Sequence, residues 1–200
     1  GITLTLNGEI ESNVSKNSAK VGDLIYLSKP LGTGYLLAAY FNNSEMLSGS
    51  DFEKILNNLQ KSNYFAVNSG RNSGSKTMTD ISGFGLSSHL IDICLSSNLS
   101  SELTLNPDVL INSNTNLLRG FKSTGFQNNQ KSSREYIKIS ENHPLKNILF
   151  DPQTNGPMLI TINEQNQKKF ENYFSNKNDI KPILIGRFID KLEKAIYVSE

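Results

Sequence analysis

The feature that most restricts the fold of this chain is a unit that occurs twice: an apolar run of strand length, a short loop containing glycine, and an apolar helix. In the first copy "LIYLS" (Leu24 to Ser28) reads as a buried strand, "KPLGTG" as the loop and "YLLAAYF" as a short helix rising from it. In the second, "KTMT" reads as a short strand and "TDISGFG" as the loop. Phe84, Leu86, Leu90, Ile91 and Cys94 then form the apolar side of a helix that runs to about Ser96. Helices interleaved with strands in this way bury their apolar faces against a sheet.

The rest of the chain continues the alternation. The opening "GITLTLNGEI" alternates like a half-buried strand, and so abrupt a start points to a chain cut out of something longer. Ser50 is the expected N-cap of a helix from Asp51, with Phe52, Ile55, Leu56 and Leu59 at helical spacing, and the helix is expected to continue through "KSNYFAV". "SELTL" reads as a strand, "LINSNTNLLRGF" as a weaker helix and "KSTGFQNNQKSSRE" as a loop. "YIKIS", "ILF", "PMLITI", "PILIGRF" and "AIYVS" are β-prone, and "EQNQKKFENYF" is a late helix with Phe170 and Phe174 at i, i+4. No repeat or linker divides the chain, so the expectation is one α/β (α+β) domain over residues 1–200, a mixed β-sheet flanked by helices.

Charge and composition remove several function classes. Twenty Lys and Arg against nineteen Asp and Glu leave a net charge of +1 without blocks of one sign, so no electrostatic footprint for nucleic acid or a membrane surface is present. Apolar runs such as "GYLLAAYF" fall far short of the roughly 20 residues that span a bilayer. The N-terminus lacks the layout of a signal peptide, and the single cysteine, Cys94, permits no internal disulfide. A cytoplasmic chain is the expectation.

Few residues carry chemistry. A helix start with free N–H groups and a positive dipole suits an anion, yet Asp80 stands immediately before the one in "TDISGFGLSSHL". Either the carboxylate caps or turns the backbone there, or it is a ligand of a hard cation such as Mg²⁺, which takes one or two carboxylates together with phosphate oxygens. The residue types alone leave both readings open. His89, a turn from Asp92, reads as a histidine bonded to a carboxylate or packed near the core, and His143 before Pro144 as a loop residue. No serine-base pairing or zinc site is expected for either. Cys94 reads as a small buried hydrophobe. "KPLGTG" lacks the residue order of a P-loop, and "FDPQTNGP" is turn chemistry between β-prone runs.

Taken in order, "GDLIYLSKPLGTG", "TDISGFGLSSHL" and "HPLKNILFDPQTNGPMLI" closely resemble the motifs of the selenide, water dikinase (selenophosphate synthetase) family. The match runs from about Gly1 to Arg187 and corresponds to the C-terminal domain of that family, which is like the C-terminal domain of aminoimidazole ribonucleotide synthetase. The resemblance implies ATP-dependent conversion of selenide and water to selenophosphate, AMP and phosphate, with Mg²⁺ required. It places the nucleophile, most ATP contacts and the other metal-binding aspartates in an N-terminal ATP-binding domain that this chain lacks, so no catalytic residue is expected here and the isolated chain is expected to be inactive. It matches Asp80 to the one metal-binding aspartate of the C-terminal domain, and it allows a homodimer in the full-length form. The rival readings are a related ATP-using enzyme with another substrate, such as aminoimidazole ribonucleotide synthetase or thiamine monophosphate kinase, and a non-catalytic interaction domain within a fusion protein.

The motifs depart from the family at three places. Ser82 replaces a threonine, Ser88 a glycine, and Gly156-Pro157 a pair of glycines. Proline fixes its own φ and pushes the preceding residue towards extended conformations, so this last loop is stiffer than a double glycine.

Overall fold

The computed structural model describes residues 1, 3–5, 7–8, 14–42, 45, 47–176 and 181–199. Their strands are β1 (Leu24–Leu27), β2 (Met78–Asp80), β3 (Ser100–Leu103), β4 (Ile137–Lys138), β5 (Met158–Ile162), β6 (Ile183–Ile189) and β7 (Ile196–Val198). They form one seven-stranded sheet in the order β2-β5-β1-β6-β3-β7-β4. Pairing is antiparallel from β2 through β3, whereas β7 runs parallel to both β3 and β4, so the sheet is mixed as expected. The helices are α1 (Thr33–Asn42), α2 (Gly49–Gln60), α3 (Tyr64–Asn72), α4 (Gly85–Ser96), α5 (Thr115–Gly120), α6 (Phe126–Ser133) and α7 (Gln167–Ser175). No described helix is long and apolar enough to cross a membrane.

The side-chain alternation of a strand divides the core between the two faces of the sheet. Ile25 and Leu27 of β1 and Leu159 of β5 join the larger cluster with Tyr35 and Leu36 of α1, Ile55 of α2 and Leu86, Leu90 and Ile93 of α4. Leu24, Tyr26, Ile160 and Ile162 point the other way, onto Ala66 of α3 and Phe170 and Phe174 of α7. The predicted Phe170 and Phe174 pair is the anchor of that layer, with Phe170 edge-on to Tyr26 at 5.0 Å between ring centroids. The sheet is therefore covered on both faces over β1 and β5. On β6 only Ile185 and Phe188 are buried, while Leu184 and Arg187 are exposed.

Several expectations fail for identifiable reasons. The strand expected over residues 1–10 falls partly outside the described residues, and the described ones there form no strand. The cap of α2 is Ser48 rather than Ser50, because Ser48 and Asp51 complete a reciprocal capping box. The helix does not continue through "KSNYFAV". Its last carbonyls are taken by remote side chains: Lys29 Nζ donates to Asn58 O (3.1 Å) and Lys61 O (2.8 Å), and Asn155 Nδ2 donates to Leu59 O and Lys61 O. The chain leaves α2 in an extended conformation at Lys61 and starts α3 after Asn63. "KSTGFQNNQKSSRE" contains α6, which is held by buried Phe126 and Asn129, and "ILF" lies in a 3₁₀ turn at Lys146–Leu149 that drives Ile148 and Leu149 into the core. In both cases burial overrides weak local propensity.

Pro157 sits at the last position before β5, buried, with its carbonyl accepting the Ile81 N–H at 2.9 Å. A strand start that needs no donor suits proline. Pro157→Gly is expected to destabilise the chain by about 1 kcal/mol through the added freedom of the unfolded loop. A higher denaturation midpoint in the glycine variant would instead show that the ring strains the loop.

Candidate functional site

Sheet topology brings the motif loops together. Strand β5 is antiparallel to both β1 and β2, so the loop that leaves β1, the loop that leaves β2 and the loop that leads into β5 all lie at one end of the sheet. These loops are "SKPLGTG", "DISGFG" and "FDPQTNGP".

The loop before β5 caps α1 from a distance. The Gln153 amide oxygen accepts the N–H groups of Gly32 (2.9 Å) and Thr33 (3.2 Å) and the Thr33 hydroxyl (3.2 Å). Asp151 Oδ2 accepts the Gly34 N–H at 3.2 Å and Gln153 Nε2 at 2.8 Å, and the Thr154 N–H closes the lock by donating to Thr33 Oγ1 at 2.9 Å. The positive end of α1, where a phosphate would otherwise bind, is thus filled by the protein's own carboxylate and amide. This agrees with reading "KPLGTG" as a structural turn. Asp151 is fully buried, and burial pushes its carboxyl up to about 7, against the opposing hydrogen bonds from Gln153 and Gly34. Lys29, only 2% exposed, is likewise a structural group: burial, aided by Lys61, lowers its ammonium to about 8 while it ties down the end of α2.

The loop after β2 docks on the same scaffold. Gln153 N–H donates to Ser82 O at 3.0 Å, and Asn129 Nδ2 of α6 bridges Gly83 O (2.9 Å) and Phe150 O (3.1 Å). Two glycines permit the close approach. A Cβ on Gly34 would lie 2.3 Å from Pro152 O, and one on Gly156 would lie 2.1 Å from Ile81 O.

Asp80 ends β2 on this framework, and its side chain is exposed. It does not cap α4: the N-cap position is Phe84, which makes no side-chain cap bond. The helix-capping alternative is thereby removed. Among the described residues no group of three or more His, Cys, Asp or Glu could enclose a metal ion. A lone exposed carboxylate fits Mg²⁺ only as one ligand of an ion shared with phosphate oxygens, water and other groups, which is the usual habit of that ion. To that extent the donor set is compatible with the ion.

His89 lies in α4, half-buried with its Nδ1 inside, which fits the expectation of packing near the core, but it is not bonded to Asp92. Its Nε2 accepts the Ser82 N–H at 3.2 Å and lies 3.3 Å from Ser82 Oγ, while Asp92 pairs with Lys16 instead. A serine-histidine contact therefore exists, contrary to expectation. It makes no triad, because His89 Nδ1 is buried without a hydrogen-bond partner and nothing orients the ring from that side. Burial, with the nearby Lys16, holds the imidazole below its usual range, against Asp80 and Asp92. His143 is a loop residue that accepts the Leu145 N–H at 3.2 Å. Cys94 is buried, and burial raises its thiol to about 11, so it is the inert hydrophobe expected.

Comparisons with known proteins bear on the family and the fold. The chain is 30% identical over 186 residues to the selenide, water dikinase of Shewanella sp. (strain MR-7), covering 92% of this chain and 52% of that protein. To the selenide, water dikinase of Campylobacter jejuni (strain RM1221) it is 30% identical over 199 residues, covering 98% and 57%. The chain thus spans about half the length of the curated relatives it matches. Solved structures with the same fold include the thiamine-monophosphate kinase of Stenotrophomonas maltophilia K279a (TM-score 0.62, 18% identity, 93% of this chain and 52% of that one). Another is the hydrogenase maturation protein HypE of E. coli (TM-score 0.64, 12% identity, 95% and 50%). Residues 20–199 match the family described as AIR synthase related protein, C-terminal domain, and the chain belongs to that family.

Proposed function

We propose that this chain is the C-terminal domain of a selenophosphate synthetase, which converts selenide, ATP and water to selenophosphate, AMP and phosphate. Within it, Asp80 is the carboxylate that this half contributes to Mg²⁺. The observation that carries the reading is Asp80 itself, an exposed carboxylate at the tip of β2, followed by a loop that is bonded to the motif loop before β5, and capping nothing. Similarity to selenide, water dikinases over 92% of the chain supports the choice of reaction. The ion supplies positive charge that bridges a carboxylate and phosphates which would otherwise repel. The chain's own residues position one ligand and close one side of a site whose ATP-binding half lies upstream, in a cytoplasmic enzyme. The fold shared with thiamine-monophosphate kinase keeps a related ATP-using enzyme as the second reading.

The test compares the isolated chain with the full-length protein in ATP, Mg²⁺ and selenide, following AMP. The full-length protein is expected to form AMP only when selenide is present, and the isolated chain to form none above a protein-free control. Turnover by the isolated chain would overturn the division of labour. Full-length formation of ADP with thiamine monophosphate, and of no AMP with selenide, would favour the second reading.

A further inference from the structure

The amides before α4 are served by an unusual donor-acceptor pair. No side chain caps the helix at Phe84, yet the Ser82 N–H is bonded by the side chain of His89, which reaches back from the second turn of the same helix to the loop in front of it. The neighbours of Ser82 are fixed from the opposite side. Ile81 N–H donates to Pro157 O at 2.9 Å, and Ser82 O accepts the N–H groups of Gln153 and Gly85, both at 3.0 Å. His89 is thus the helix-side clamp on a turn that the "DPQTNGP" loop holds from the sheet side.

The clamp carries a cost that packing does not explain. For Nε2 to accept an N–H it must be unprotonated, so the neutral ring carries its proton on Nδ1. That atom is buried and has no hydrogen-bond partner. A buried donor without a partner is destabilising, and an apolar residue of similar size would avoid the penalty. Histidine at this position therefore does something that packing alone does not require. The charges that face it are Asp80, Asp92 and Lys16, so it also lies within the electrostatic reach of the proposed metal ligand.

We propose that His89 is a positioning residue for Asp80: its neutral Nε2 fixes the Ser82 N–H, and with it the turn that carries the Asp80 carboxylate to a divalent cation. This rests on the metal role proposed for Asp80. The acceptor atom, rather than the ring, is the essential feature. Glutamine, whose amide oxygen can take the place of Nε2, should preserve the function, and leucine, which fills the space without an acceptor, should not.

The experiment uses the full-length protein and Mn²⁺ binding followed by electron paramagnetic resonance with a non-hydrolysable ATP analogue present, together with amide hydrogen exchange in the metal-free protein. His89→Leu is expected to weaken Mn²⁺ binding about 10- to 100-fold, the range typical of groups that orient a metal ligand, and to speed exchange at Ser82 and Gly83. His89→Gln is expected to stay within a few-fold of the unaltered protein. Equal Mn²⁺ affinity in the leucine and unaltered proteins would overturn the inference, provided that Asp80→Asn weakens binding in the same assay. Unchanged binding in Asp80→Asn would overturn the metal reading and this inference with it. Should His89→Leu fail to fold, nitrogen NMR of the unaltered protein still decides: a proton on Nε2 rather than Nδ1 would rule the clamp out.

Discussion

Asp80→Asn in the full-length protein is expected to lower selenide-dependent AMP formation by about 100-fold or more while leaving the fold in place. Losing a group that merely orients a metal ligand costs about 10- to 100-fold, and a directly bound carboxylate contributes its charge as well. Asparagine retains one oxygen of similar reach and loses the negative charge that a hard cation requires. Stability should change by less than about 0.5 kcal/mol, since the side chain is exposed and caps no helix. The two effects separate the rival roles. A residue that shaped the turn would lose stability first and activity only in proportion. Rates close to those of the unaltered enzyme across a Mg²⁺ titration would refute the metal role.

The exposure of Asp80 was not legible in the sequence, but its surroundings partly were. Local signals located β1, α1, α4 and β5 to within a few residues, because each is an apolar run with glycine or proline at its ends. The end of α2 was invisible because Lys29 and Asn155 create it from distant positions. α6 was invisible because Phe126 and Asn129 are its main anchors in an otherwise polar segment. "FDPQTNGP" read as a turn, which it is. That its aspartate and glutamine cap α1, 117 to 121 positions away, follows from antiparallel pairing of β5 with β1 and not from any local pattern. Spacing pairs His89 with Asp92, whereas its partner lies in the loop before the helix, seven positions back. Helical periodicity compares residues within a helix and does not register a side chain that folds back over its start.

The same dependence on distant backbone gives Gly156→Ala a large expected effect on stability. The added Cβ would lie 2.1 Å from Ile81 O and 2.7 Å from Gln153 Cβ, distances that no rotamer change relieves because the nearer contact is main chain. Either the start of β5 or the start of the loop after β2 must move, and both are fixed: Ile81 N–H is bonded to Pro157 O and Ser82 O to the Gln153 N–H. Overpacking of this kind costs about 3 kcal/mol, which for a chain of this size lowers the melting midpoint by about 6–12 °C. Gly49→Ala is the control. That glycine opens α2 and has nothing within 4 Å of an added Cβ, so alanine there should be neutral or stabilise by roughly 0.5 kcal/mol. Because Ile81 adjoins Asp80, the displacement should also reach the proposed metal ligand. The full-length Gly156→Ala protein is then expected to bind Mn²⁺ more weakly even at temperatures where it remains folded, which the control should not do. An unchanged midpoint in Gly156→Ala would mean that the β2 and β5 loops do not meet as described, and the convergence of motifs that places Asp80 would lose its physical basis.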